Sequence, residues 1–139
     1  MTQLFSLGHM ITPQQFLECY LHDKERAWAE ARRPLRSVYG RYFGEPLSQH
    51  AEHFMPRDIA HAEFEDVRQA DGTASAVTRE HFATADVRTC YRLAASGASW
   101  RIIGIDRECF ICRGKGESVG FRCQKCHGEG WYDCTTNEA

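Results

Sequence analysis

Long apolar runs are missing from this 139-residue sequence: no stretch approaches the ~18 consecutive apolar residues of a membrane-spanning helix. The segment from Met1 to Met10 has no cationic start followed by an apolar run, which excludes a signal-peptide pattern there and makes cytosolic residence the expectation. Charge of one sign is also missing. The formal net charge is −2, which speaks against a chain built to grip nucleic-acid phosphates. No glycine-rich phosphate loop and no Ser-His-Asp arrangement can be picked out, so the usual marks of nucleotide chemistry and of nucleophilic hydrolysis are absent. Disorder is excluded too, because 42% of residues are hydrophobic and 26% charged, the balance of a soluble globular chain.

Cysteine, by contrast, is plentiful, and four of the seven sit in a phrase written twice: Cys109-Phe-Ile-Cys112-Arg-Gly114-Lys-Gly116 and Cys123-Gln-Lys-Cys126-His-Gly128-Glu-Gly130. Both halves read C-x-x-C-x-G-x-G. Two such pairs can bring four thiolates to the corners of a tetrahedron, the coordination of a structural Zn²⁺, so Cys109, Cys112, Cys123 and Cys126 are the expected ligands of one zinc ion. A Cys pair grips one ion only if the backbone turns sharply, and Gly114 and Gly128 stand where that turn tends to need positive φ. Gly116 and Gly130 are expected to let the chain leave each turn as an extended hairpin arm. Against the competing reading, two disulfides or idle buried cysteines, stand the lack of any sign of an oxidising compartment and a repeat too regular for chance. His127, beside Cys126, is an alternative ligand, and Cys134 is a spare thiol. With four protein ligands the ion has no open position for water, which disfavours catalysis by this metal.

The phrase resembles the cysteine-rich repeat of DnaJ-type co-chaperones, over residues 109 to 130 only. Those proteins carry four repeats binding two zincs and begin with a J-domain bearing His-Pro-Asp. Here there are two repeats and no His-Pro-Asp. The resemblance therefore implies a one-zinc knuckle attached to another kind of protein.

Upstream, Thr12-Pro13-Gln14-Gln15 is a helix start, with Thr12 as N-cap, Pro13 in the first turn and Gln15 placed to return the capping bond. Phe16, Leu17, Tyr20, Ala27, Trp28 and Ala31 form an apolar stripe, and Glu18, Lys24, Glu25 and Arg26 are expected outside it, in a helix to about Arg32. Pro34 opens a second helix, to about residue 43, presenting Leu35, Val38, Tyr39, Tyr42 and Phe43, with Gly44 ending it. Residues 45 to 57 read as loop or a short helix. Beyond them the period changes to two. Strands are expected over about 59–69 and 74–83 around the Ala70-Asp71-Gly72 turn, then from Val87 to Leu93, with a return through Trp100 to Ile105 after Ser96-Gly97-Ala98. Charge is segregated as well: six basic against two acidic residues from Lys24 to Arg41, and six acids against two arginines over 52–71. A helix and a strand neutralising each other's surfaces is the plain explanation; a polar patch that docks a charged partner is the alternative.

The expected architecture is α+β: N-terminal helices packed on a curved antiparallel sheet, followed by a small zinc-bound hairpin module. Tyr91-Arg-Leu and Ser96-Gly-Ala-Ser-Trp100-Arg-Ile-Ile-Gly-Ile-Asp106, following the helices, resemble the last two strands of the nuclear transport factor 2-like (SnoaL-like) cone fold. The resemblance implies a cone domain over residues 1–107 and a zinc knuckle module with its tail over 108–139. Cone proteins include isomerases and dehydratases that use a base in a deep pocket, for which His61, Asp66, His81, Asp86 and Asp106 are candidates, none with a diagnostic neighbour. His50 and His53 could share a helix face but lack a third ligand nearby. Cys19, among Phe16, Leu17 and Tyr20, reads as buried filler, and Cys90 lacks an evident His partner. No catalytic residue is assigned.

Small bacterial proteins resembling this cone also include immunity proteins of polymorphic toxin systems, which bind and neutralise a cognate toxin. The expectation is thus a non-catalytic, zinc-braced, cytoplasmic protein-binding domain whose partner is such a toxin. It has no membrane segment and no basic surface for nucleic acid, and a homodimer through the sheet is a further expectation of the resemblance. A small SnoaL-like enzyme or ligand-binding protein with a zinc appendage is the alternative.

Overall fold

The structure is a computed structural model, and it describes residues 11–31, 36–45, 47, 61–81, 86–109 and 111–133. The first helix, α1 (Pro13–Ala31), starts where its capping box requires. Thr12 Oγ1 accepts from the Gln15 amide at 3.0 Å and Gln15 Oε1 accepts from the Thr12 amide at 3.0 Å, satisfying two of the end donors. A short α2 (Arg36–Tyr42) follows. Neither is long and apolar enough to cross a membrane.

Four long strands then form an antiparallel meander: β1 (His61–Ala70), β2 (Thr73–His81), β3 (Asp86–Ser96) and β4 (Ser99–Glu108). The turns fall at Gly72 (φ 75°) and Gly97 (φ 62°), where a side chain would strain the backbone. The expected α+β class and the meander are both present. The sheet is larger than expected, however. A short β5–β6 hairpin (Glu117–Ser118 and Phe121–Arg122) stands apart, and then β7 (Trp131–Asp133) returns to pair antiparallel with β4. The tail thus becomes the fifth strand, in the order β1-β2-β3-β4-β7.

Two register shifts keep the hydrophobic pattern intact. In β1 the pairing moves from Phe64↔Thr78 to Asp66↔Val77, leaving Glu65 as an extra residue. Strict alternation would send Asp66 inward; the bulge turns Phe64 and Val67 to the core instead and leaves Asp66 exposed. In β4 the pairing moves from Leu93↔Ile102 to Arg92↔Gly104, so Ile102 and Ile105 are both buried while Ile103 is exposed.

The core lies between α1, α2 and one face of the sheet. Tyr20 sits at its centre, edge-on to Tyr42 (5.5 Å), Phe43 (5.7 Å) and Tyr91 (6.1 Å), geometry that suits the ring quadrupoles. Leu17, Leu93, Trp100 and Ile102 complete it, all essentially inaccessible. Trp100 Nε1 donates to the Ile11 carbonyl at 2.8 Å, tying the chain before α1 to β4. Phe43 makes a parallel bridge to Ile102, and the Gly44 amide donates to the Ile102 carbonyl at 2.9 Å, covering part of the outer edge of β4.

Three expectations are corrected. Lys24 is buried, not outside the stripe, because it stands one turn after Tyr20 on the same face. Cys19 is exposed rather than buried filler. Among the described residues the ion pairs of β1 run within the sheet, where helix against strand was expected: Glu65 pairs with Arg79 (2.7 Å) and Arg88 (2.8 Å), while Arg26 pairs with Glu30 and Arg41 with Asp23 on the helical side.

Candidate metal centre

Each C-x-x-C-x-G-x-G phrase folds into the same local shape. After the second cysteine the chain enters the left-handed region at Arg113 (φ 54°) and His127 (φ 57°), then at Gly114 and Gly128 (φ 82° and 83°). The Lys115 amide donates to the Cys112 carbonyl and the Glu129 amide to the Cys126 carbonyl, each at 3.2 Å. The turned amides then face sulfur: Gly116 N–H lies 3.2 Å from Cys112 Sγ and Gly130 N–H 3.1 Å from Cys126 Sγ. Such N–H dipoles stabilise thiolate charge without a counter-ion.

The two phrases also interlock. Cys109 donates its amide to Gly130 O (2.8 Å) and Cys123 its amide to Gly116 O (2.9 Å), a reciprocal pair that makes the halves pseudo-symmetric. Here the reading of Gly116 and Gly130 as mere exits is too modest. Both hold φ near +80° (81° and 83°), and a Cβ would stand 2.5 Å from Gly128 O at the first and 2.5 Å from Gly114 O at the second. Each final glycine is the space into which the other phrase's backbone fits.

Four sulfurs converge as a result. The Sγ atoms of Cys109, Cys112, Cys123 and Cys126 all lie within 4.8 Å of one another and are buried, a set able to hold a metal ion. Cys109 and Cys123 are 3.8 Å apart and Cys112 and Cys126 3.6 Å, far beyond a disulfide bond of about 2.05 Å, and all four are free thiols. Burial, the largest influence, pushes the Cys112 thiol up. At Cys126 burial acts the same way but is outweighed by the Gly130 N–H and the neighbouring sulfurs, which bring the thiol down to about 7. His127 is exposed and its carbonyl accepts from Arg122 Nε at 2.9 Å, so it stands outside the sulfur cluster; Cys134 lies outside the described residues.

The cluster is rooted in the sheet. Cys109 follows β4 directly, and Asp133 of β7 meets Arg92 at 2.8 Å, which also binds Asp106 at 3.0 Å. Gly104 makes this reach feasible, since a Cβ there would fall 2.2 Å from the Arg92 guanidinium. Arg88 bonds Glu108 (3.3 Å) and lies over the Trp131 ring (5.6 Å), while Tyr132 packs on the cysteines under Lys125 (5.6 Å). The signal for β7 was in Trp131-Tyr132, two strand-favouring aromatics past the last glycine.

Of the candidate bases of the enzyme alternative, His81 and Asp86 meet on the outer face of the sheet with His61 opposite His81 in register, whereas Asp66 and Asp106 are each held by an arginine. Asp66 pairs with Arg68 and Asp106 with Arg92, and His81 lies between Asp86 (2.9 Å) and Glu63 (3.0 Å) on the solvent side of the sheet. Asp86, then burial in opposition, then Glu63 together raise the His81 pKa. His61 begins β1, and His50 and His53 lie outside the described residues. Burial pushes the Cys90 thiol up, the opposite of an activated nucleophile. Other titratable groups, Lys24, Glu80 and Tyr91 among them, are buried beneath α1. Glu80 could have been found from its place in the alternation Ala74, Ala76, Thr78, Glu80, all buried.

Set against known proteins, the chain matches no family model, no curated protein and no solved structure.

Proposed function

We propose that the chain is a non-catalytic protein-binding domain whose C-terminal module is braced by one structural Zn²⁺ held by Cys109, Cys112, Cys123 and Cys126. Zinc–thiolate bonds of about 2.3 Å at the tetrahedral angle set sulfurs about 3.8 Å apart, which matches the 3.8 and 3.6 Å separations of the two cross-phrase pairs. An all-sulfur set favours a soft or borderline ion over Mg²⁺ or Ca²⁺. When bound, the ion supplies crosslinking and charge neutralisation. The protein's own share is the glycine-shaped frame and the two N–H···S bonds that hold the sulfurs in place.

The observation that carries the binding role is at the tip of the β5–β6 hairpin. Val119 is 91% exposed and Phe121 76% exposed, on a turn that leaves the cluster directly. Both are apolar side chains with no neighbour to cover them among the described residues, on a support that loses little entropy on docking. Two finer points extend the reading. The helix-on-sheet part, residues 1–107, is taken as a cone related to nuclear transport factor 2-like proteins, with 108–139 as its zinc module. The partner is taken as a cognate toxin, as in the immunity proteins that resemble such cones.

Elemental analysis of purified protein should find one zinc per chain, and a pull-down from cells coexpressing the neighbouring open reading frame should recover a stoichiometric partner. The double variant Val119→Ser/Phe121→Ser should lose that partner while keeping its zinc. Absence of metal would overturn the bracing, and capture unchanged by the double variant would overturn the docking tip.

A further inference from the structure

The cysteine module joins the sheet in two places. Cys109 continues β4 directly, and β7, three residues long, returns to pair with Asp106, Arg107 and Glu108. So short a strand makes few ladder bonds, and side chains then decide whether it stays docked. Tyr132 packs on the cysteines, while its two neighbours meet arginines of β3: the Trp131 ring lies under Arg88 (5.6 Å) and Asp133 meets Arg92 (2.8 Å).

The register at the end of β7 carries a conflict. Asp133 stands directly opposite Asp106, and like charges in opposed positions push strands apart. Both carboxylates are partly sheltered from water, which strengthens the repulsion, with side chains 34% and 25% exposed. Burial raises the Asp106 pKa, Arg92 opposes that shift, and Asp133 and Glu129 push it further up.

One side chain bridges the opposed pair. Arg92 donates from Nε to Asp106 Oδ2 at 3.0 Å, and from Nη2 to Asp106 Oδ1 at 3.4 Å and to Asp133 Oδ2 at 2.8 Å. Gly104 faces Arg92 across the strands, and a Cβ there would fall 2.2 Å from the guanidinium carbon. The φ of Gly104 is not positive, so the glycine supplies space for the guanidinium and not backbone freedom. The Arg92 side chain is 39% exposed and borders a hollow of about 370 Å³ with Arg68, Ser75 and Ile103, so the bridge is open to solvent.

We propose that Arg92, Asp106 and Asp133 form an electrostatic latch that sets whether the cysteine module is docked on the sheet. Closed, the guanidinium lies between the carboxylates and β7 completes the sheet. Open, the guanidinium has left, the carboxylates repel, and β7 parts from β4 while the four cysteines keep their metal. The module survives opening because its two phrases hold each other through the Cys109–Gly130 and Cys123–Gly116 backbone bonds. The open state rests on the metal reading of the cluster and is independent of what the hairpin tip binds.

Amide hydrogen exchange, followed by NMR on the full zinc-loaded chain near neutral pH, reads the latch. Arg92→Met should speed exchange at residues 131–133 about tenfold or more, the effect of losing hydrogen bonds to charged groups, with zinc stoichiometry and exchange in β1–β3 unchanged. Arg92→Met/Asp106→Asn should restore protection, because the asparagine removes the repulsion that the arginine answers; a side chain that merely packs would show no such rescue. Gly104→Ala displaces the guanidinium without altering charge. It should open the strand as Arg92→Met does and be rescued by the same asparagine, which keeps the test open if the methionine variant folds poorly. Val119→Ser/Phe121→Ser should leave exchange at 131–133 unchanged, and metal analysis in parallel separates an open latch from a lost ion, so failure here is distinguishable from failure of the proposed function. Unchanged exchange in both Arg92→Met and Gly104→Ala, or faster exchange that the asparagine does not relieve, would overturn the latch. Loss of zinc together with protection would overturn it as well, by showing that the module does not hold together without β7.

Discussion

The two parts of this molecule reach order by opposite means. The helix-on-sheet part is held by side chains: Tyr20, Tyr42, Phe43, Leu93 and Trp100 interlock, and their burial follows from amphipathic periodicity. The knuckle has almost no core. Among the described residues its buried side chains are the four cysteines, with Tyr132 packed against them, its strands are two or three residues long, and positive φ occurs at Arg113, Gly114, Gly116, Val119, Gly120, His127, Gly128 and Gly130. One part spends its sequence on volume and the other on backbone geometry. A segment too small to bury apolar surface must obtain its stability from a ligand, and the structure shows what kind of ligand such a segment can prepare for.

This contrast is sharpest under chelation. Structural zinc contributes an apparent ~10–16 kcal/mol in comparable peptides, more than the net stability of a small domain. Removing the metal, or replacing Cys123 by Ser, should unfold residues 109–133 and detach β7 from β4, while amide resonances of α1 and β1–β3 persist. Heteronuclear NMR with and without chelator reads this directly. Collapse of both parts together would break the comparison.

The next effect runs the other way. Trp100→Ala opens a cavity under α1 and removes the bond to the Ile11 carbonyl, so it should cost about 3–5 kcal/mol of helix–sheet stability. Zinc stoichiometry, measured on the folded fraction, should not change. Denaturant unfolding followed by circular dichroism, with metal analysis in parallel, separates the two.

A smaller and more local break is Gly130→Ala. The new methyl would enter the Gly114 carbonyl, and φ of 83° is unfavourable for alanine by roughly 1–2 kcal/mol before any clash is counted. Competition with a chromogenic chelator should show about 10- to 100-fold weaker metal binding, as for other changes that disturb ligand support. Thr12→Ala, a cap removed from the core part, should cost about 1 kcal/mol and leave metal affinity alone.

The smallest expected effect is one of pH. The folded-state pKa of His81 is raised by Asp86 and Glu63, so the protonated ring favours folding. That contribution is complete below the unfolded value of about 6.5 and is lost as pH rises through the folded value. His81→Gln should therefore flatten a slight fall of Tm as the pH rises above about 6.5, with no change in zinc content. A fall that persists in the variant would assign it elsewhere.

The expectations that held are those with local causes. The start of α1 followed from Thr12 and Gln15, because a capping box is written within four residues. The turns at Gly72 and Gly97 followed from residues that tolerate positive φ. The cysteine cluster was legible because the doubled phrase specifies both ligands and turns. The failures have long-range causes. Lys24 was assigned to solvent by its charge, although its spacing from Tyr20 placed it on the buried face. The bulges that leave Asp66 and Ile103 exposed were not anticipated, because a bulge depends on a partner strand's register. Among the described residues of the charge blocks, Glu65 meets Arg79 and Arg88 and not the helix, a pairing that exists only after the sheet has formed.

Sequence alone determined α1, the four long strands and the cysteine cluster, since capping, alternation, glycine turns and C-x-x-C spacing act over a few residues at a time. Tertiary structure alone decided that Trp131–Asp133 would close the sheet beside β4, that Gly116 and Gly130 would seat each other's phrases, and that Lys24, Glu80 and Thr89 would all be buried. The physical reason is that register and burial are properties of pairs distant in the chain, and no single segment carries both members of a pair.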